Sequence, residues 1–275
     1  MYESTIETAI GSLKVVTTGV GPEVIFLHGL MTNGAIWNKV TQELPGFQCI
    51  RVDLPLGAHR IPAESDADLS IPSIANAIAP ALMELCPEGY WLVGSDTGGV
   101  LAQQLVCYKP EGIRGLLLLP CDLYDNFLPL PLRYLQYLAR IPGAMWATRW
   151  ALEIPLIRKA PIAFGWLARR ELAPGLVRQS IDPLRSGLIR RDLAKFLRGI
   201  DPAITLATAA KLPTTAVSTH FLWATDDRLF PVLKARQLAA SMPEGTYWRE
   251  VSDAYSFIQI DRPQAVVDAV QRLAG

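Results

Sequence analysis

The stretch "LVGSDTGGVL", residues 92–101, decides the fold. It joins an apolar run, "YWLVGSD" at 90–96, to a helix-length segment, "TGGVLAQQLVCYK", through a turn centred on one acid. A sharp strand-to-helix turn that presents a reactive side chain brings two backbones into close approach, so it needs small residues two positions before and after that side chain. Only one register supplies them: Gly94 and Gly98 flank Asp96, whereas Ser95 has Val93 and Thr97 at those positions. Asp96 is therefore the residue presented, and Ser95 is not a displaced serine nucleophile. Gly99 lets the helix begin close to the sheet, and the first N–H groups of that helix favour an anion there.

Outward from this turn the same texture repeats. "EVIFLHG" (23–29), "QCIRVDLP" (48–55), "GLLLLPCD" (115–122) and "HFLWATDD" (220–227) are further continuous apolar runs, each ending in Gly, Asp or Pro. Such runs suit strands of a parallel sheet covered on both faces. Helix-length segments separate them, among them "NGAIWNKVTQEL", "IPSIANAIAPALMEL", "FPVLKARQLAASM" and "RPQAVVDAVQRLA". This alternation predicts an α/β fold with a mostly parallel, doubly wound sheet. Upstream, "TIETAI" and "LKVVTT", split by Gly11, predict a hairpin or meander at a sheet edge. From about 123 to 205 there is no convincing strand, only Pro-punctuated helical stretches, read as a helical cap inserted into a core made of 1–122 and 206–275. Trp146, Trp150 and Trp166 are expected to form the internal core of that cap.

"FLHG" at 26–29 with "IW" at 36–37, "DLP" at 53–55, "VGSDTGG" at 93–99 and "DDRLFP" at 226–231 together resemble the α/β-hydrolase fold over nearly the whole chain. The Asp-centred turn is similar to the branch that contains haloalkane dehalogenases and epoxide hydrolases. The resemblance implies that Asp96 is the nucleophile. It further implies that the backbone N–H groups of Leu30 and Thr97 form an oxyanion hole, and that the triad acid is Asp227, four residues before Pro231. Asp226 is the adjacent alternative, read as a cap or surface partner, and Asp122 is a second acid position ranked below Asp227. His28, Trp37, Tyr124 and Ser256 stand as candidate substrate contacts.

The family's triad ends in a histidine beyond the acid, yet His28, His59 and His220 all precede Asp227. In "VSDAYSFIQIDRP" the histidine slot holds Ser256, with Tyr255 beside it. A carboxylate needs no deprotonating partner to displace a leaving group from carbon. Clearing the resulting ester calls for a general base, a contribution of ~10²–10⁴-fold, and neither Ser256 nor Tyr255 has a suitable pKa. His59, on the loop "LPLGAHRIP", is the one histidine open to recruitment. Thr97 and Leu30 also stand where dehalogenases carry halide-binding side chains, and Tyr124, Tyr134 and Tyr137 stand as cap tyrosines for an epoxide. Two functions follow from this. The first is an enzyme of hydrolytic or acid/base chemistry on an apolar small molecule, and the second is an inactive small-molecule binding protein.

Composition bounds the rest. The 275 residues carry 26 basic and 26 acidic side chains, so no net charge draws the chain to nucleic acid. Residues 122–205 hold 13 Lys and Arg against 7 Asp and Glu, a net +6, which admits an anionic ligand as well as an apolar one. Cys49, Cys86, Cys107 and Cys121 lie far apart, as reduced core thiols do in a cytoplasmic protein. No metal or cofactor motif and no membrane-length apolar run is present in the sequence.

Overall fold

The computed structural model describes residues 1–275. Eight strands form one sheet: β1 (Tyr2–Ile6), β2 (Leu13–Thr18), β3 (Glu23–Leu27), β4 (Gln48–Val52), β5 (Tyr90–Gly94), β6 (Ile113–Leu118), β7 (Ser218–Ala224) and β8 (Trp248–Val251). Their order is β1-β2-β4-β3-β5-β6-β7-β8, with the β1–β2 and β2–β4 pairs antiparallel and the others parallel. The continuous apolar runs are the central strands, and Val24–Leu27 in β3 and Leu92–Gly94 in β5 are buried. The N-terminal pair lies at the edge, as its split pattern predicts.

β8 is the strand that the apolar-run criterion misses. It is an edge strand, and Trp248, Arg249 and Glu250 are all part-exposed, so no continuous apolar run marks it. It earns its place by parallel pairing with β7.

The chain leaves β3 toward β4 on one side and returns to β5 on the other. The C-terminal ends of β3 and β5 therefore bound a crevice where the strand order reverses, the favoured ligand position in open α/β sheets. The loop after β3 carries His28, Gly29 and Leu30; the turn after β5 carries Asp96.

Between β6 and β7 the chain forms helices alone, at Tyr134–Leu138, Ala144–Glu153, Pro155–Arg158, Pro174–Ile181, Gly187–Arg198 and Pro202–Lys211, with 3-10 turns between some of them. The last of these packs on Thr97–Tyr108, the helix that follows the turn. The insertion is bolted to the core by a buried pair: the Nε2–H of His59 donates to Asp192 (3.2 Å) while the His59 Nδ1 accepts from Gly57 N–H (3.2 Å). Asp192 also accepts from the Ala63 N–H and from Arg191.

The tryptophan expectation is corrected. Trp146 and Trp150 are 54% and 47% exposed, stacked edge to face one helical turn apart on the outer face of their helix, and only Trp166 is part-buried against the core. Met145, Arg149 and Leu152 face inward instead. All four cysteines are buried and unpaired. No helix is long and apolar enough to cross a membrane.

Candidate active site

Asp96 sits at φ 55°, ψ −134°, a conformation that L-residues rarely adopt and that costs on the order of 1–3 kcal/mol. The surrounding backbone holds it there, through Asp96 N–H to Pro120 O (2.7 Å) and Gly99 N–H to Asp96 O (2.9 Å). Gly94 and Gly98 are required by the backbones they touch. A Cβ on Gly98 would lie 2.4 Å from the Leu27 carbonyl oxygen, and one on Gly94 would lie 2.7 Å from that of Gly98. Gly29 is equally constrained, since a Cβ there would lie 2.3 Å from Asp96 Oδ2. The loop after β3 thus packs face to face with the acid.

The Asp96 carboxylate is buried. Its Oδ1 accepts from the Thr97 N–H (2.7 Å) and the Thr97 hydroxyl (3.3 Å), and the Leu30 N–H also faces the carboxylate. The two amides expected to receive a substrate oxyanion therefore serve the carboxylate of Asp96 itself. Burial pushes the Asp96 pKa up to about 7; the Thr97 and Leu30 hydrogen bonds oppose the rise, and the charge of Asp227 adds to it.

Asp227 turns its carboxylate inward. Oδ1 accepts from the Leu229 and Phe230 N–H groups (both 2.8 Å) and from the Ser256 hydroxyl (3.0 Å), while Oδ2 is buried without a partner. Burial raises this group also to about 7, against those three hydrogen bonds. Ser256, fully buried, thus stands against the acid where the family resemblance places a histidine. Asp122 is buried with neither carboxylate oxygen partnered, and burial followed by the charge of Asp96 raises its pKa well above the usual range. Asp226 is a surface partner of Arg169 (3.4 Å).

The other candidate contacts sit elsewhere. His28 is a loop organiser: its Nε2 accepts from the Leu54 N–H (2.8 Å) and its Nδ1 donates to the Gly29 carbonyl (2.9 Å), with burial lowering its pKa. Trp37 is fully buried against Phe26, ring centroids 5.2 Å apart, rather than open to a ligand. Tyr124 offers its carbonyl to Thr205, and Tyr137 is 69% exposed. Of the three tyrosines, Tyr134 lines a small cavity over Asp96, with its hydroxyl donated to the Ile162 carbonyl (2.7 Å). Both ring nitrogens of His59 are engaged at the Asp192 joint. His220 packs on Tyr247 in the N-terminal half of β7, away from the C-terminal strand ends that carry Asp96.

Above Asp96 lies a cavity of about 40 Å³, walled by Leu30, Met31 and nine residues of the insertion, among them Leu132, Tyr134, Leu152, Ile162 and Phe164. That is room for a few waters at most. Its residue types were visible in the sequence; which of them face Asp96 was not, because short Pro-broken helices carry no clear face.

A model of the alpha/beta hydrolase family matches residues 24–269, and the chain belongs to this family. A pimeloyl-[acyl-carrier protein] methyl ester esterase of Aeromonas salmonicida is 36% identical over 107 residues, 38% of this chain and 40% of that protein, so the match spans well under half of the relative's length. An esterase of the same name from Chromobacterium violaceum is 26% identical over 86% of this chain and 88% of its own. Among solved structures, the haloalkane dehalogenase DatA of Agrobacterium tumefaciens superposes with a TM-score of 0.77 at 18% identity, covering 99% of this chain and 96% of that one. The two relatives are esterases by name, and the likeness to DatA is one of fold.

Proposed function

We propose that the protein is an enzyme in which Asp96 transfers a proton to or from an apolar small molecule held between the sheet and the helical cap, residues 123–205. The observation that carries this is the Asp96 carboxylate, raised to about 7, on the floor of an apolar cavity with no cation beside it. A group half-charged near neutral pH gives and takes protons with equal ease, the condition for general acid–base work. The Thr97 and Leu30 amides steady its charged form, and the Ser256 hydroxyl, joined to Asp227, occupies the position from which a base would activate water. With that base absent, elimination, isomerisation or cyclisation fits the geometry better than ester turnover.

A second reading keeps Asp96 as a nucleophile toward an epoxide, halide or ester. It rests on the tethering of Oδ1 to Thr97, which would hold one oxygen still while the other attacks. The separating experiment uses wild type and Asp96→Asn on a panel of epoxides, alkyl halides, activated esters and enolisable ketones, following product, deuterium uptake and intact mass. Proton transfer predicts turnover or exchange that vanishes in Asp96→Asn, with a rate that changes around pH 7 and no adduct. A persistent adduct on wild type alone overturns it in favour of the nucleophile. Binding without turnover or adduct overturns it in favour of a binding protein.

A further inference from the structure

A second cavity, about 490 Å³, opens in the insertion next to the first. Phe164 is the residue that lines both, so its ring stands at the border between the small apolar space over Asp96 and a larger one. The character of the wall changes across that ring. The inner wall is Leu, Ile, Ala and Phe in the main, while the outer wall presents Arg158, Lys159, Arg169, Arg170 and Arg178 against the single carboxylate of Glu171.

Most of these cations are committed. Lys159 pairs with Glu171 (2.9 Å), Arg169 with Asp226 (3.4 Å) and Asp253 (2.9 Å), and Arg170 with Asp253 (3.4 Å). Two are not. Arg158 donates only to the Leu152 and Glu153 carbonyls (3.2 and 3.4 Å) and feels Glu171, which Lys159 holds, at longer range; exposed Arg178 likewise has no carboxylate within ion-pair distance. Guanidinium groups outside an ion pair, beside a cavity, present fixed forks that suit a carboxylate.

Resting on the reading of Asp96 as the reacting group, we infer that the substrate is an amphipathic acid. Its apolar chain passes Phe164 to lie over Asp96, and its carboxylate is held in the outer cavity by Arg158 and Arg178. The net +6 charge of residues 122–205 draws such a ligand in, and the apolar wall over Asp96 suits its chain. The carboxylate end fixes which carbon of the chain meets Asp96.

The test is calorimetric titration of decanoate and of decan-1-ol, probes that differ in the charged end, into wild type, Arg158→Gln/Arg178→Gln, Arg178→Gln alone and Asp96→Asn. Wild type is expected to bind decanoate about tenfold more tightly than the alcohol, a preference of the size a charged hydrogen bond supplies. The double variant is expected to lose that preference while keeping its affinity for the alcohol, and Arg178→Gln, on an exposed helix position, to lose part of it. Equal binding of both probes by wild type, or a preference that survives the double variant, overturns the inference. The two claims fail separately. A preference kept in Asp96→Asn with unchanged turnover of the panel sinks the catalytic reading and leaves the acid site standing. Turnover lost in Asp96→Asn with no preference in wild type does the reverse.

Discussion

Asp96 and Asp192 are both buried carboxylates, and their surroundings push them in opposite directions. Burial alone would raise Asp192, yet hydrogen bonds from His59, the Ala63 amide and Arg191 outweigh it and hold the pKa below the ordinary value. At Asp96 the donors are amides and a hydroxyl, no cation is in contact, and burial wins. The first arrangement fastens one part of the molecule to another with a fixed charge. The second leaves a group undecided between two protonation states at neutral pH, which is poor for fastening and good for chemistry.

The largest expected difference between the two is in activity. Asp96→Asn keeps the volume and the Thr97 contact but cannot exchange a proton, so turnover should fall by about 10²–10⁴-fold with the fold intact. Asp192→Asn should leave the chemistry in place once folded, and instead strip the charge from the His59–Arg191 joint. Losing one partner of a buried pair costs ~3–5 kcal/mol, read as a lower denaturation midpoint in urea. A large loss of turnover with unchanged stability in Asp192→Asn would reverse the assignment of the two roles.

pH sharpens the contrast further. For Asp96 and Asp227 the folded pKa of about 7 lies above the unfolded 3.8, so between these values the native state keeps protons that the unfolded chain has released. Stability from these groups is therefore full at low pH and is lost as pH rises from about 4 to about 7, by up to roughly 4 kcal/mol each. Asp192 has the opposite sign: its contribution is present above the unfolded value and lost as pH falls below it. Urea denaturation of wild type should thus show stability decreasing between pH 5 and 7.5. Asp96→Asn should flatten that slope and Asp192→Asn should leave it. A wild-type stability that rises over this range would contradict the protonation states assigned to Asp96 and Asp227.

The same contrast marks how far the sequence could be read. The turn at Asp96 was legible because its constraint is local: Gly94 and Gly98 must be small at fixed offsets from Asp96, and the apolar runs beside it are long enough to announce buried parallel strands. Ser256 was legible through the family resemblance, which puts the triad histidine in "VSDAYSFIQIDRP" at the position Ser256 fills. The Asp192–His59 joint spans 133 positions and involves residue types that usually face solvent, so no pattern along the chain foretells it. β8 was hidden by its edge position. Trp146 and Trp150 misled because size suggests burial, whereas the helical spacing of Met145, Arg149 and Leu152 set the inward face.

The smallest effect separates Asp227 from both other acids. It is raised like Asp96 but holds three hydrogen bonds, one of them from a side chain that can be removed without changing charge. Ser256→Ala takes one donor from the charged form alone, so the Asp227 pKa should climb further, and the cost should depend on pH. At pH 8, where Asp227 is mostly ionised, the variant should lose ~1–2 kcal/mol; at pH 5, where the acid is protonated, it should lose much less. A packing defect would cost the same at both values. If the loss is equal, the hydroxyl merely fills space beside Asp227 and the pair is structural; if it grows with pH, Ser256 helps set the charge of the acid behind Asp96.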